Sequence, residues 1–208
     1  MSTHAHRATL QRRPLVKQLL DGADDNLLVI AGLGSSNWDI TAAGDRPLNM
    51  PLWGSMGAPV GMGLGLALAQ PNKRVLVITG DGDMLMSLGS LATVATQMPE
   101  NLAIVVLDNE KFGETGNQAT HTSPRNNGPT DSGAGTDLAM IARGCGIADA
   151  TTVREAGEVA ELVKDVRTKK GPVFRLVKVM VEKLEFVMPP QDGAHLKDRF
   201  RQALLGHP

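Results

Sequence analysis

The sequence has little with which to cross-link or chelate. Cys145 is its one cysteine, which excludes an internal disulfide, and there is no CxxC pair or Cys/His cluster at zinc spacing. Tyrosine is absent and aromatics make up 3 % of the 208 residues, so aromatic packing does not build the core. Charge of one sign is also missing. With 21 basic against 22 acidic residues the net charge is −1, which leaves no electrostatic footprint for nucleic acid or an anionic membrane. No apolar run approaches the ~18 residues of a spanning helix. The first apolar run, 27–30, comes late and follows an acidic stretch at 21–25, unlike a signal peptide, and a cytoplasmic location is expected.

What is present is glycine (23 residues) in a chain that is 42 % hydrophobic and 21 % charged. That balance suits a soluble globular core. The length fits one α/β domain, and no repeat or internal boundary is evident, so residues 1–208 are expected to form a single domain. Residues 1–12 are expected to be flexible.

Short apolar runs alternate with helical patterns. LLVIA at 27–31, VLVIT at 75–79, LAIVVL at 102–107 and the run 173–181 predict buried strands. Helices are expected at 15–20, from about 37, and at 54–69, 84–98, 137–145, 156–167 and 195–205, with 47–53 irregular. Continuous β-branched strands between helices predict a doubly wound α/β fold, a mostly parallel sheet with helices on both faces. Residues 113–136 are rich in Gly, Ser, Thr, Asn and Pro. A polar loop of that length points to contact with substrate or partner.

In such folds ligands sit at the carboxyl ends of the strands, and three ends carry chemistry. Gly32-Leu33-Gly34-Ser35-Ser36 permits a tight turn whose free N–H groups and hydroxyls suit phosphate oxygens; Ser35 or Ser36 equally suits a helix N-cap. Gly80-Asp81-Gly82 resembles a hairpin turn, but helical rather than alternating periodicity follows it. It therefore reads as a strand-end carboxylate beside exposed N–H groups, suited to a hard cation such as Mg²⁺ held against phosphate. Asn109 closes the next strand. One right-handed crossover brings it beside Asp81, and the Lys111 carbonyl in the following turn offers a third oxygen.

As a set these segments resemble the diphosphate-binding part of the thiamine-diphosphate enzymes. The run from Gly80-Asp81-Gly82-Asp83 to Asn109 matches that family's signature, and Trp53-Gly54-Ser55-Met56-Gly57 its segment beneath the thiazolium. Gly171-Pro172-Val173 and Leu196-Lys197-Asp198-Arg199-Phe200 are similar to the ends of sulfopyruvate and phosphonopyruvate decarboxylases, so the likeness spans most of residues 27–205.

The resemblance implies thiamine diphosphate and Mg²⁺ as cofactors, with Asp81, Asn109 and the Lys111 carbonyl on the metal. It implies that Gly34, Ser35 and Ser36 contact the diphosphate, as do Gly80, Gly82, Asp83, Phe112 and Gly113. Met56 would wedge the cofactor into its bent shape, with Ser55 beside it and the Gly54 carbonyl facing the pyrimidine amino group. It implies decarboxylation of a small, anionic 2-oxo acid, with acetolactate-synthase-like carboligation as the alternative outcome. The activating glutamate of that family lies in a pyrimidine-binding domain, for which this sequence shows no counterpart. A partner subunit in a hetero-oligomer is therefore expected to supply it.

Asp83 stands where many members have Ser or Ala; it adds charge near the diphosphate or caps the following helix. Glu114 is either a proton relay or a surface charge. His121 either touches substrate or partner or is solvated. Met84, Met86 and Met98 read as core filler and Cys145 as a small buried residue. Gly57, Gly61 and Gly65 leave a bare helix face, for a neighbouring chain or for the sheet beneath. A nucleotide-binding regulatory module is the remaining alternative, but no acid stands ~20 residues after the glycine loop, where a ribose would be held.

Overall fold

The computed structural model describes residues 8–124 and 135–207. The elements in chain order are α1 (Arg12–Leu20), β1 (Leu27–Ala31), α2 (Ser35–Ala43), β2 (Asn49–Pro51), α3 (Ala58–Ala69), β3 (Arg74–Gly80), α4 (Asp81–Leu85) and α5 (Gly89–Gln97). There follow β4 (Leu102–Asp108), β5 (Lys111–Phe112), β6 (Gln118–Ala119), α6 (Leu138–Gly144), β7 (Ala150–Val153), α7 (Val159–Thr168), β8 (Val173–Lys178) and α8 (Gly193–Leu205).

Six strands form one parallel sheet in the order β2-β1-β3-β4-β8-β7, and β5 and β6 make a separate two-stranded antiparallel ribbon. The central strands are buried on both faces because they are apolar at nearly every position; Asp108, at the end of β4, is a buried exception. Each face carries its own apolar layer. Leu15, Val16 and Leu19 of α1, Ile40 of α2 and Leu162 and Val166 of α7 cover one face. Val60 and Leu64 of α3, Leu91 and Val94 of α5, Leu138 of α6 and Phe200 of α8 cover the other. This is the doubly wound α/β architecture expected.

Several boundaries differ from the sequence reading. The 47–53 stretch contains the edge strand β2, where Pro51 is tolerated because one side lacks a ladder partner. The single helix expected over 84–98 is two helices, broken at residues 86–88. Met84 is buried, but Met86 and Met98 are exposed and do not fill the core. β7 and the ribbon of β5 and β6, which opens the 113–136 loop, have too few apolar residues to signal strands. Residues 125–134 of that loop lie outside the described residues, as do residues 1–7. The flexibility expected over 1–12 does not reach its last residues. Leu10 is buried and bridges Val179, and Arg12, at the start of α1, is buried too.

Helix α3 starts at Ala58, not 54. Gly57 caps it in a left-handed conformation (φ +91°), which excludes it from the helical glycine face. Gly61 and Gly65 have nothing within 4 Å of where a Cβ would stand. The glycine this helix needs against the sheet is Gly63, where a Cβ would lie 2.2 Å from Val77 Cγ2.

Candidate active site

The tips of β1, β3 and β4 meet at the carboxyl edge of the sheet. β3 and β4 are neighbours in register, with Gly80 opposite Leu107, so Asp81 and Asn109 emerge side by side. Both line one cleft with Gly34, Ser35, Ser36, Met56, Gly82, Asp83, Lys111, Phe112, Gly113 and Glu114. Gly80 lies in the same wall. Gly54 and Ser55 stand just outside it and are exposed. Of the expected site residues, then, all but these two converge.

The first wall is the N-terminus of α2. Its N-cap is Gly34 (φ +83°), and no side chain caps it. Ser35 and Ser36 therefore sit within the first turn rather than acting as the cap. Orphan N–H groups of that turn, with the positive end of the helix behind them, suit an anion.

The second wall is the turn after β3. Asp81 is 2 % exposed; its Oδ2 accepts from Thr120 Oγ1 and, at 3.0 Å, from Thr122 Oγ1. Thr122 also donates towards Asp108 Oδ1 at 2.8 Å, and Asp108 Oδ2 pairs with Lys178 Nζ at 2.6 Å. Burial, and then the neighbouring Asp108 charge, push the Asp81 carboxyl up to about 6. Burial works against the Lys178 charge, but Asp108 and Glu110 outweigh it and hold that ammonium's pKa above its ordinary value. A buried carboxylate raised in this way gains from a cation beside it.

Asn109 is set by two nested turns. Glu110 N–H donates to Asp108 Oδ1 at 3.1 Å and Lys111 N–H to Asn109 Oδ1 at 2.9 Å, with Glu110 at φ +62°. This fold-back presents the Asn109 amide and the Lys111 backbone to the cleft. Gly82 permits the roof: a Cβ there would be 2.4 Å from Phe112 Cε1.

The third wall is Met56, held by a constrained turn. Ser55 (φ +57°) and Gly57 (φ +91°) both take left-handed conformations around it. Asp83 pins this turn: Oδ1 accepts the Gly57 N–H, and Oδ2 accepts Thr79 Oγ1 at 2.5 Å. No side chain caps α4, so Asp83 is not a cap but the clamp between β3 and the Met56 segment. Burial raises its pKa against those two hydrogen bonds. Gly32 makes room for it, since a Cβ there would stand 2.0 Å from Asp83 Oδ2.

Glu114 lies over Gly34, where a Cβ would meet its Oε1 at 2.8 Å. Partial burial raises its pKa, and the Arg12 charge opposes the rise. Sequence reasoning missed Arg12, Thr79, Thr120 and Thr122. The alternation Thr120-His121-Thr122 held a usable signal: two hydroxyls on one side of an extended segment, with His121 exposed on the other.

Residues 34–177 match the family model of the thiamine pyrophosphate enzyme C-terminal TPP binding domain. The chain belongs to that family. Among curated proteins it is 37 % identical to the sulfopyruvate decarboxylase subunit beta of Methanocaldococcus jannaschii, over 68 % of this chain and 70 % of that one. It is 32 % identical to the Methanothermobacter thermautotrophicus subunit beta, over 95 % of this chain and 97 % of the other. The phosphonopyruvate decarboxylase of Streptomyces viridochromogenes is 29 % identical over 89 % of this chain, and the match spans 44 % of that longer protein. Among solved structures, a 2-oxoglutarate:ferredoxin oxidoreductase from Magnetococcus marinus superposes with a TM-score of 0.65 at 19 % identity, covering 91 % of this chain and 74 % of the other. That likeness shows the fold.

Proposed function

We propose that this chain is the diphosphate-binding subunit of a thiamine-diphosphate- and Mg²⁺-dependent decarboxylase of a small anionic 2-oxo acid, of the sulfopyruvate or phosphonopyruvate type. The observation that carries the reading is the convergence of Asp81 and Asn109, from adjacent strand tips, on one cleft with the uncapped start of α2 and with Met56. These residues fit the group. Asp81 and Asn109 offer hard oxygen ligands, with the Lys111 carbonyl as a third. Ser35, Ser36 and the backbone from Gly34 offer donors to phosphate oxygens. Gly80, Gly82 and Gly113 let the backbone approach, and Phe112 covers the metal turn.

Met56 provides an apolar wall against which a two-ring cofactor would be held bent; Ser55 and the Gly54 carbonyl, just outside the cleft, would flank it. Bound there, thiamine diphosphate would supply the electron sink that decarboxylation of a 2-oxo acid requires. The protein's part is to bind, orient and shield. Asp83 fixes the Met56 turn, and Glu114, which lines the cleft, would hold or move a proton.

A pyrimidine-binding alpha-type partner is proposed to supply the activating glutamate and complete the site in a hetero-oligomer such as α2β2. The subunit-beta relatives support this, as does the exposed apolar face of α3 at Gly61, Met62, Gly65 and Leu68. A cytoplasmic location is part of the same proposal. No helix among the described residues is long and apolar enough to cross a membrane. The test is to assay the purified chain with Mg²⁺, thiamine diphosphate and sulfopyruvate or phosphonopyruvate, alone and with the candidate partner. Aldehyde formation that needs both chains is expected. Turnover by this chain alone would overturn the partner reading, and a hydroxyketone product would favour carboligation.

A further inference from the structure

Arg12 has no place in the set of residues so far assigned to the cofactor, yet it lines the same cleft. It opens α1 and is 4 % exposed. Its backbone N–H donates to Glu182 Oε2 at 2.8 Å, and its Nε donates to Asp39 of α2. Among the described residues no hydrogen bond reaches its two terminal nitrogens. The guanidinium is thus anchored through Nε and keeps its paired terminal donors for a group in the cleft that it lines.

The anchoring carboxylate is shared. Asp39 is fully buried and shared, with Arg13 Nε donating to its other oxygen at 3.0 Å. Arg12 and Arg13 share this one carboxylate, and Arg12 is the member that lines the cleft. The other charged residues lining that cleft are Asp81, Asp83, Lys111 and Glu114. Arg12 is thus the one buried cation among the described residues of a wall otherwise rich in carboxylates.

Its position selects which part of a ligand it meets. α1 and α2 lie on one face of the sheet, whereas the Met56 turn leads into α3 on the other. Arg12 and Met56 therefore approach the cleft from opposite faces, with Asp81 and Asn109 between them. A ligand held between Met56 and the pair Asp81 and Asn109 would have its far end within the part of the cleft that Arg12 lines. Glu114 Oε1 stands over Gly34 in that same corner.

We infer that Arg12 is a diphosphate-recognition residue, with its terminal nitrogens gripping the outer phosphate and so distinguishing a diphosphate from a monophosphate. The inference rests on the proposed cofactor site and deepens it. Planar paired donors match phosphate oxygens, and charge-assisted hydrogen bonds of this kind are among the stronger ones.

The test is calorimetric titration of the full chain with thiamine diphosphate, thiamine monophosphate and inorganic pyrophosphate, each with Mg²⁺. Wild type is expected to favour the two diphosphates. Arg12→Gln should weaken both of them by roughly ten- to hundredfold and leave the monophosphate unchanged. Arg12→Lys keeps the charge and a donor to Asp39, so it reports on the same preference if the Gln variant does not fold, and should recover part of it. A second reading uses wild type alone: the Arg12 side-chain nitrogen resonance should move with thiamine diphosphate and stay still with the monophosphate. If wild type binds diphosphate and both variants keep its preference, the inference on Arg12 is overturned and the cofactor site stands. If wild type binds none of the three at millimolar concentration, either alone or with the candidate partner present, both fall.

Discussion

Replacing Asp81 by Asn separates stability from binding in opposite directions. The Asp81 carboxyl is 2 % exposed, faces Asp108, and has a pKa raised from 3.8 to about 6 by burial and that neighbour. A carboxyl whose folded pKa lies above its unfolded value binds its proton more tightly when folded. Below about pH 3.8 both states hold the proton and nothing is lost. Between about 3.8 and 6 the folded state is progressively penalised, and above about 7 the full penalty, about 3 kcal/mol, is present. An amide cannot ionise, and its oxygen still accepts from Thr120 and Thr122.

Asp81→Asn should therefore make the metal-free chain more stable by up to about 3 kcal/mol at pH 7.5, with a much smaller gain at pH 4.5. Urea unfolding at the two pH values in the presence of a chelator measures this. Adding Mg²⁺ with thiamine diphosphate at pH 7.5 should stabilise wild type and leave the variant unmoved. A difference between the two proteins that is the same at both pH values would refute the argument, because burial of an ionised carboxylate would then not be the cause.

Other perturbations probe the remaining walls. Met56→Ala should retain cofactor binding by calorimetry yet lower turnover of the assembled enzyme about tenfold or more; unchanged turnover removes Met56 from the mechanism. Asp83→Ala should leave the Gly57 N–H and the Thr79 hydroxyl without their acceptor, costing about 1–3 kcal/mol for each group left buried and unpaired, and should speed amide exchange at Gly57. Gly63→Ala, whose Cβ would lie 2.2 Å from Val77 Cγ2, should lower stability by about 1–3 kcal/mol. Gly61→Ala meets nothing within 4 Å and should raise it by about 0.5–1 kcal/mol while weakening partner binding, which co-purification reads.

Local pattern was enough for the strand cores and for the tips that carry Asp81 and Asn109. LLVIA, VLVIT and LAIVVL admit little but buried parallel strands, and right-handed crossovers then bring Asp81 and Asn109 together. It was not enough where a segment's state depends on its neighbours. The stretch 84–98 has unbroken helical periodicity, yet the chain breaks it at 86–88, with Met86 left exposed against the Gly57 turn. β2 and β7 are edge strands, specified by a partner's ladder more than by their own composition.

The sequence by itself determined the doubly wound sheet, the order of its glycine-bearing tips and the acid and amide side chains they carry, because periodicity and turn chemistry are local properties. The tertiary structure alone decided that Asp83 holds the Met56 turn, that Thr120 and Thr122 support Asp81, and that Arg12 reaches the cleft from a helix on the opposite face from Met56. Those roles depend on contacts between residues 26 to 41 positions apart, or on different layers of the fold. No spacing rule in a single chain records such contacts.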